Sequence, residues 1–168
     1  NRPRDFQFGI FVESRRLLVT IAAVRKYRVE HHGKNNDADG NADPKYQHMQ
    51  VIDLGANVDC DADNLVQFAV MGEGFARNVR GLENPSIGIL NVGAENLKGN
   101  EAVQKAAITL QESSLPIKFY GFVEGDDIGA GTVDVVVTDG FTGNIALKTA
   151  EGTANLFGEF LKQALTES

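Results

Sequence analysis

Four short polar segments hold the residues whose types and spacing suit chemistry. They are Asp53-Leu54-Gly55-Ala56-Asn57, Asn91-Val92-Gly93-Ala94-Glu95 with Lys98-Gly99-Asn100, Glu124-Gly125-Asp126-Asp127, and Thr138-Asp139-Gly140-Phe141-Thr142-Gly143-Asn144. The last is the most informative: an apolar run, a turn with two glycines, then the start of a helical pattern. Glycine lets backbone approach an anion closely, and the unpaired N–H groups of a helix start favour negative charge, which suits phosphate. A strand-to-helix turn can equally need glycine for its dihedrals alone, and the pattern leaves both readings open. The turn has neither the GxxxxGK[ST] nor the GxGxxG spacing, so it is not a P-loop or a dinucleotide fingerprint.

The elements around these segments alternate. Val51 to Leu54 reads as a strand ending at Gly55. Leu65, Phe68, Ala69, Gly72, Phe75, Ala76 and Val79 share one helical face, with Gly81 suited to the C-terminal cap. Ile87 to Val92 is a second strand, and Asn100 can cap a helix with Val103, Ala106, Ala107 and Leu110 on one side. Ile117 to Val123 and Val133 to Val137 are further strands. A final helix runs from about Thr142 to Leu165, with Ala146, Ala150, Thr153, Phe157, Phe160, Leu161 and Ala164 expected inward. The expected fold is therefore α/β, a parallel-dominated sheet with flanking helices. In such a sheet, ligands bind beyond the carboxyl ends of the strands, where all four polar segments fall.

The chain divides near residue 50. Residues 1–50 are harder to read: Leu17 to Val24 is a strand or a buried helix, and 31–48 is a polar stretch expected to be a mobile surface loop. Within it, Asn35, Asp37, Asp39, Gly40 and Asp43 imitate part of a calcium loop. Tyr46 stands where a bidentate Glu is required, so no EF-hand is expected. No metal or other cofactor is expected. Net charge is -7, and residues 51–168 hold seven Lys/Arg against seventeen Asp/Glu. That acidic body argues against nucleic-acid binding. The start is basic, with Arg15, Arg16, Arg25, Lys26 and Arg28 as its dense cluster. No apolar run is long enough to span a bilayer, and Cys60 is the single cysteine, so a cytoplasmic protein is expected.

The ordered series D-L-G-A-N-V-D-C (53–60), L-V-Q-F-A-V-M-G (65–72), L-N-V-G-A-E (90–95), K-G-N-E (98–101), V-E-G-D-D-I (123–128) and D-V-V-V-T-D-G-F-T-G-N-I-A-L-K-T-A-E-G (134–152) resembles the bacterial PlsX-type phosphate acyltransferases. Phe122 departs from the pattern, where the family resemblance implies Asn. Family chains are longer, so the resemblance implies that 51–168 is a central catalytic portion and that 1–50 matches poorly. It further implies an isocitrate-dehydrogenase or phosphotransacetylase-like fold and transfer of a fatty acyl group from acyl carrier protein to inorganic phosphate. A homodimer and loose peripheral membrane association are implied as well.

For that reaction phosphate is itself the nucleophile, and the protein must hold it beside the thioester and stabilise the oxyanion. Lys98 and Lys148 are candidates for the phosphate charge. Asn57, Asn100 and Asn144 are candidate donors, Gly140, Thr142 and Gly143 the candidate phosphate turn, and Asp53, Asp126 and Asp139 candidate acids or orienting groups. Lys98, Asn57 and Asp139 are the expected catalytic set. Each has a plain alternative as a solvated lysine, a capping Asn or a turn Asp. Cys60 is expected to be a packed structural thiol, and His31 and His32 solvated. Competing functions are a short-chain phosphotransacetylase and a non-catalytic fragment that dimerises or binds carrier protein.

Overall fold

The computed structural model describes residues 7–14, 17–25, 48–95 and 97–166. The strands are β1 (Gln7–Ser14), β2 (Leu17–Arg25), β3 (His48–Ile52), β4 (Ser86–Leu90), β5 (Lys118–Val123) and β6 (Val135–Val137). The helices are α1 (Ala62–Arg80), α2 (Glu101–Glu112), α3 (Gly125–Ala130) and α4 (Gly140–Thr166). The strands form one sheet in the order β1-β2-β3-β6-β4-β5. β3, β6, β4 and β5 pair in parallel, and β1 and β2 extend the sheet antiparallel beyond β3. The expected parallel-dominated α/β fold is what the chain forms. Leu17 to Val24, left open between strand and helix, lies in β2. Of the polar stretch, residues 31–47 lie outside the described residues, as do Arg15, Arg16, Lys26 and Arg28 of the basic cluster; His48 opens β3.

The central strands are Val/Ile runs because both faces of a parallel sheet are covered. On one face, Ile52, Ile87, Ile89, Val135 and Val137 pack with Leu65, Phe68 and Ala69 of α1 and with Val103, Ala106 and Leu110 of α2. On the other, Met49, Val51, Val123 and Val136 pack with Leu147 of α4 and, at the margin, Ile128 of α3. Phe68 is wholly buried, so its truncation to Ala would cost about 3–5 kcal/mol. α1 begins at a reciprocal cap between Asp61 and Asn64 and ends on Gly81 in the left-handed conformation. Asn100 caps α2, accepting the Val103 N–H at 2.9 Å.

The final helix departs from expectation. Only Gly140, Gly143 and Leu147 of α4 are buried. Ala150, Thr153 and Ala164 are exposed, and Phe157, Phe160 and Leu161 are 69%, 59% and 53% exposed. Beyond Leu147, α4 runs past the core with its apolar stripe exposed. The stripe was legible as periodicity, but periodicity says only that a face is apolar, not what covers it.

Candidate active site

The polar segments follow the carboxyl ends of β3, β4, β5 and β6, and so share one edge of the sheet. The chain leaves β3 toward the α1–α2 face and leaves the adjacent β6 toward the α4 face. Neighbouring strands whose connections part to opposite faces open a crevice, the usual ligand position in such sheets.

Asp53 organises the first loop. Its side chain is fully buried. Its carboxylate accepts the Ala56 N–H at 3.1 Å, the Asn57 N–H at 2.7 Å and the Asn57 Nδ2 amide at 2.7 Å. The Asn57 carbonyl, turned outward by these bonds, accepts the Gly140 N–H at 2.8 Å and the Cys60 thiol at 3.5 Å. The β3 and β6 loops are thereby one unit. Gly140 lies against the Asn57 backbone, where a Cβ would stand 2.7 Å from the carbonyl oxygen. A Cβ on Gly143 would collide with the Asp53 carbonyl oxygen. Both glycines thus serve a close backbone–backbone approach.

Asp139 caps the start of α4: its Oδ1 accepts the Thr142 N–H at 2.8 Å and its Oδ2 the Thr142 hydroxyl at 2.7 Å. In front of this turn lies a pocket of about 440 Å³, lined by Val58, Asp59, Cys60, Leu65, Asn100, Ala102, Val103, Asp139, Phe141 and Thr142. A second hollow shares Asp59, Cys60, Asn100 and Ala102 with it and continues along Asp61 to Lys105. The starts of α1, α2 and α4 therefore converge on one space. Their N-terminal dipoles favour a negative ligand, while the carboxylates of Asp59 and Asp139 oppose one. The pocket combines an apolar floor (Leu65, Val103) with a polar wall (Asn100, Asp139, Thr142). Burial raises the Cys60 thiol to about 11, with Asp139, Asp53 and Asp59 adding to the rise and the Gly140 backbone opposing it. At neutral pH it is a protonated thiol and a poor nucleophile.

Of the sequence candidates, Asn100, Asp139 and Thr142 line this pocket, and Asn57 and Gly140 hold its wall. Asn144 packs beside Gly55. Lys98 and Lys148 are not lining residues. Lys98 folds over Gly93 and pairs with Glu95 at 2.8 Å. That bond holds Glu95 below the usual carboxylate range and raises Lys98. Lys148 pairs with Glu151 at 2.8 Å. Asp127 serves its own helix, accepting the Glu124 N–H at 2.9 Å and the Thr132 hydroxyl; these bonds lower its pKa. Sequence reasoning did not place Val58, Cys60 or Phe141 in the site. Val58 and Cys60 follow Asn57 within three positions, which is the signal that could have found them. Among the described residues no group of three or more His, Cys, Asp or Glu could hold a metal ion, and no helix is long and apolar enough to cross a membrane.

The family model described as "fatty acid synthesis protein" matches residues 21–168. The chain belongs to this family. It is 69% identical over 118 residues to the phosphate acyltransferase of Paramagnetospirillum magneticum, a match covering 70% of this chain and 34% of that protein. Identity to the phosphate acyltransferases of Rhodospirillum rubrum and Rhodospirillum centenum is 61% and 63%, each over 118 residues and 70% of this chain, and over 34% and 33% of those proteins. The chain thus spans about a third of the length of these relatives. The resemblance read from the ordered motifs is borne out at the level of the family.

Proposed function

We propose that this chain is the sheet-and-crevice portion of a phosphate acyltransferase that moves a fatty acyl group from acyl carrier protein to inorganic phosphate. The observation that carries the reading is the 61–69% identity over 118 residues to relatives of that name. A phosphate oxygen attacks the thioester carbonyl, a C–O bond forms, the C–S bond breaks, and the leaving thiolate takes up a proton. No enzyme nucleophile is required, in keeping with the protonated state of Cys60. Asn100 uses Oδ1 for its cap, which leaves its amide hydrogens to donate toward the pocket. Thr142 is held by Asp139 at the pocket wall and becomes the second phosphate contact by turning its hydroxyl hydrogen from Asp139 to the anion. Lys98 reaches the anion by exchanging Glu95, an exposed and hence weak partner. Gly143 and Asn144 shape the turn, and Lys148 adds charge from α4.

A second copy of the chain covers α4 in this reading. Ala146, Ala150, Thr153, Phe157, Phe160 and Ala164 recur at alternating spacings of four and three, the seam of a helix pair. The carrier protein is acidic, as is residues 51–168, so it docks through the basic residues that precede them. The decisive test is phosphate-dependent consumption of an acyl carrier protein thioester by the intact protein. Turnover restricted to short acyl groups on coenzyme A would instead favour a short-chain phosphotransacetylase, and absence of turnover a binding fragment.

A further inference from the structure

We infer that Asp53 is a positioning residue: its buried carboxylate fixes the Asn57 carbonyl, and through it the Gly140 turn that presents Asp139 and Thr142 to the pocket. Three N–H donors from its own loop converge on this one side chain. The Asn57 carbonyl they orient has two acceptor tasks, the Gly140 N–H and the Cys60 thiol. Both tie the Asp53 loop to groups that line or abut the pocket. The main chain of Asp53 adds a second tie, since its carbonyl is packed directly on Gly143. Weakening the carboxylate cluster therefore moves the Asp139–Thr142 cap relative to Asn100 without touching either residue. The catalytic consequence rests on the acyltransferase reading above; the geometric one does not.

The test uses Cys60, the single cysteine of the chain, as a reporter inside the pocket. Alkylation by iodoacetamide is followed against pH in the native intact protein and in Asp53→Asn, which keeps the shape but sets an amide donor against the Asn57 donors. Asp53, Asp59 and Asp139 are the carboxylates facing the thiol, so Asp59→Asn serves as the control for loss of one negative charge alone. Release of the Asn57 carbonyl frees the thiol's acceptor and admits water, and the relief of burial, the largest cause of the raised thiol, outweighs loss of the opposing Gly140 backbone contact. The expected result is alkylation at pH 8 at least about tenfold faster in Asp53→Asn than in Asp59→Asn, since thiolate is the reacting form. In the acyl-transfer assay Asp53→Asn lowers kcat more than it raises KM for phosphate. If Asp53→Asn does not fold, Asn57→Ala removes only the side-chain donor and gives a smaller shift in the same direction. Labelling of folded Asp53→Asn, or of Asn57→Ala in its place, no faster than that of Asp59→Asn overturns the inference. Wild-type protein without acyl-transfer activity overturns the functional reading and leaves the labelling result to judge the positioning.

Discussion

Gly143 lies against the backbone carbonyl of Asp53, so close that no side-chain carbon fits between them. The contact joins the start of α4 to the loop after β3, and it involves backbone that cannot rotate away. Gly143→Ala should destabilise the protein by about 1–3 kcal/mol, as overpacking does in a filled core. Equilibrium urea unfolding measures this. A variant as stable as wild type would show that the two loops separate freely.

Cys60 supplies a pH-dependent signature. Its thiol is raised from 9.0 to about 11, mainly by burial. At pH 8 it should alkylate about a hundredfold more slowly than an unperturbed thiol, in proportion to its thiolate fraction. Between pH 9 and about 11 the folded thiol keeps its proton while the unfolded one releases it. Stability should therefore fall as pH rises through that window, and Cys60→Ala should remove that part of the slope. Alkylation kinetics and pH-dependent unfolding check the two statements. A thiol titrating near 9 would contradict both.

The legible part of the sequence was the part governed by local rules. Asn100 and Gly81 are caps because one side-chain oxygen or one left-handed residue suffices, and both stand where expected. The Val and Ile runs are strands because both faces are buried. What was not legible depended on distant chain. The Gly140–Gly143 turn reads as a phosphate cradle, but only the fold shows that both glycines face the backbone of the Asp53–Asn57 loop. Lys98 looks like a free cation until the loop folds it over Gly93 onto Glu95. The stripe on α4 looks like core because its periodicity is the same whether or not anything covers it.

Asn100 has both a cap and a pocket role. Asn100→Ala should cost about 1 kcal/mol of stability through the lost cap and should also raise KM for phosphate. Asn100→Ser restores the cap oxygen without the amide donor. Recovery of stability but not of KM in that variant separates the two roles, and recovery of both would confine Asn100 to capping.

The uncovered stripe on α4 gives a prediction on assembly. Phe157→Asp combined with Phe160→Asp places two charges on the seam without disturbing the core, since both side chains are exposed. Sedimentation equilibrium should show the wild-type protein associating and the double variant shifted toward monomer by at least about tenfold in dissociation constant, equal to about 1.4 kcal/mol. Unchanged association would place the interface elsewhere.

The ion pair of Lys98 with Glu95 offers a two-sided test of the phosphate charge. Lys98→Ala should raise KM for phosphate about tenfold or more, as loss of a charged contact to the reacting group does. Glu95→Gln, which frees the lysine, should lower it. Steady-state kinetics with varied phosphate reads both, and two variants with wild-type KM would remove Lys98 from the site.

In the proposed function, the pocket between the starts of α1, α2 and α4 carries phosphate-dependent acyl transfer. The most direct measurement is initial-rate kinetics of the intact protein with acyl carrier protein thioester and inorganic phosphate, trapping acyl phosphate as it forms and comparing wild type with Thr142→Val. Acyl phosphate should form in step with thioester loss, and kcat/KM for phosphate should fall about tenfold or more in the folded variant. Thioester loss independent of phosphate, or a Thr142→Val enzyme with wild-type kcat/KM, would contradict it.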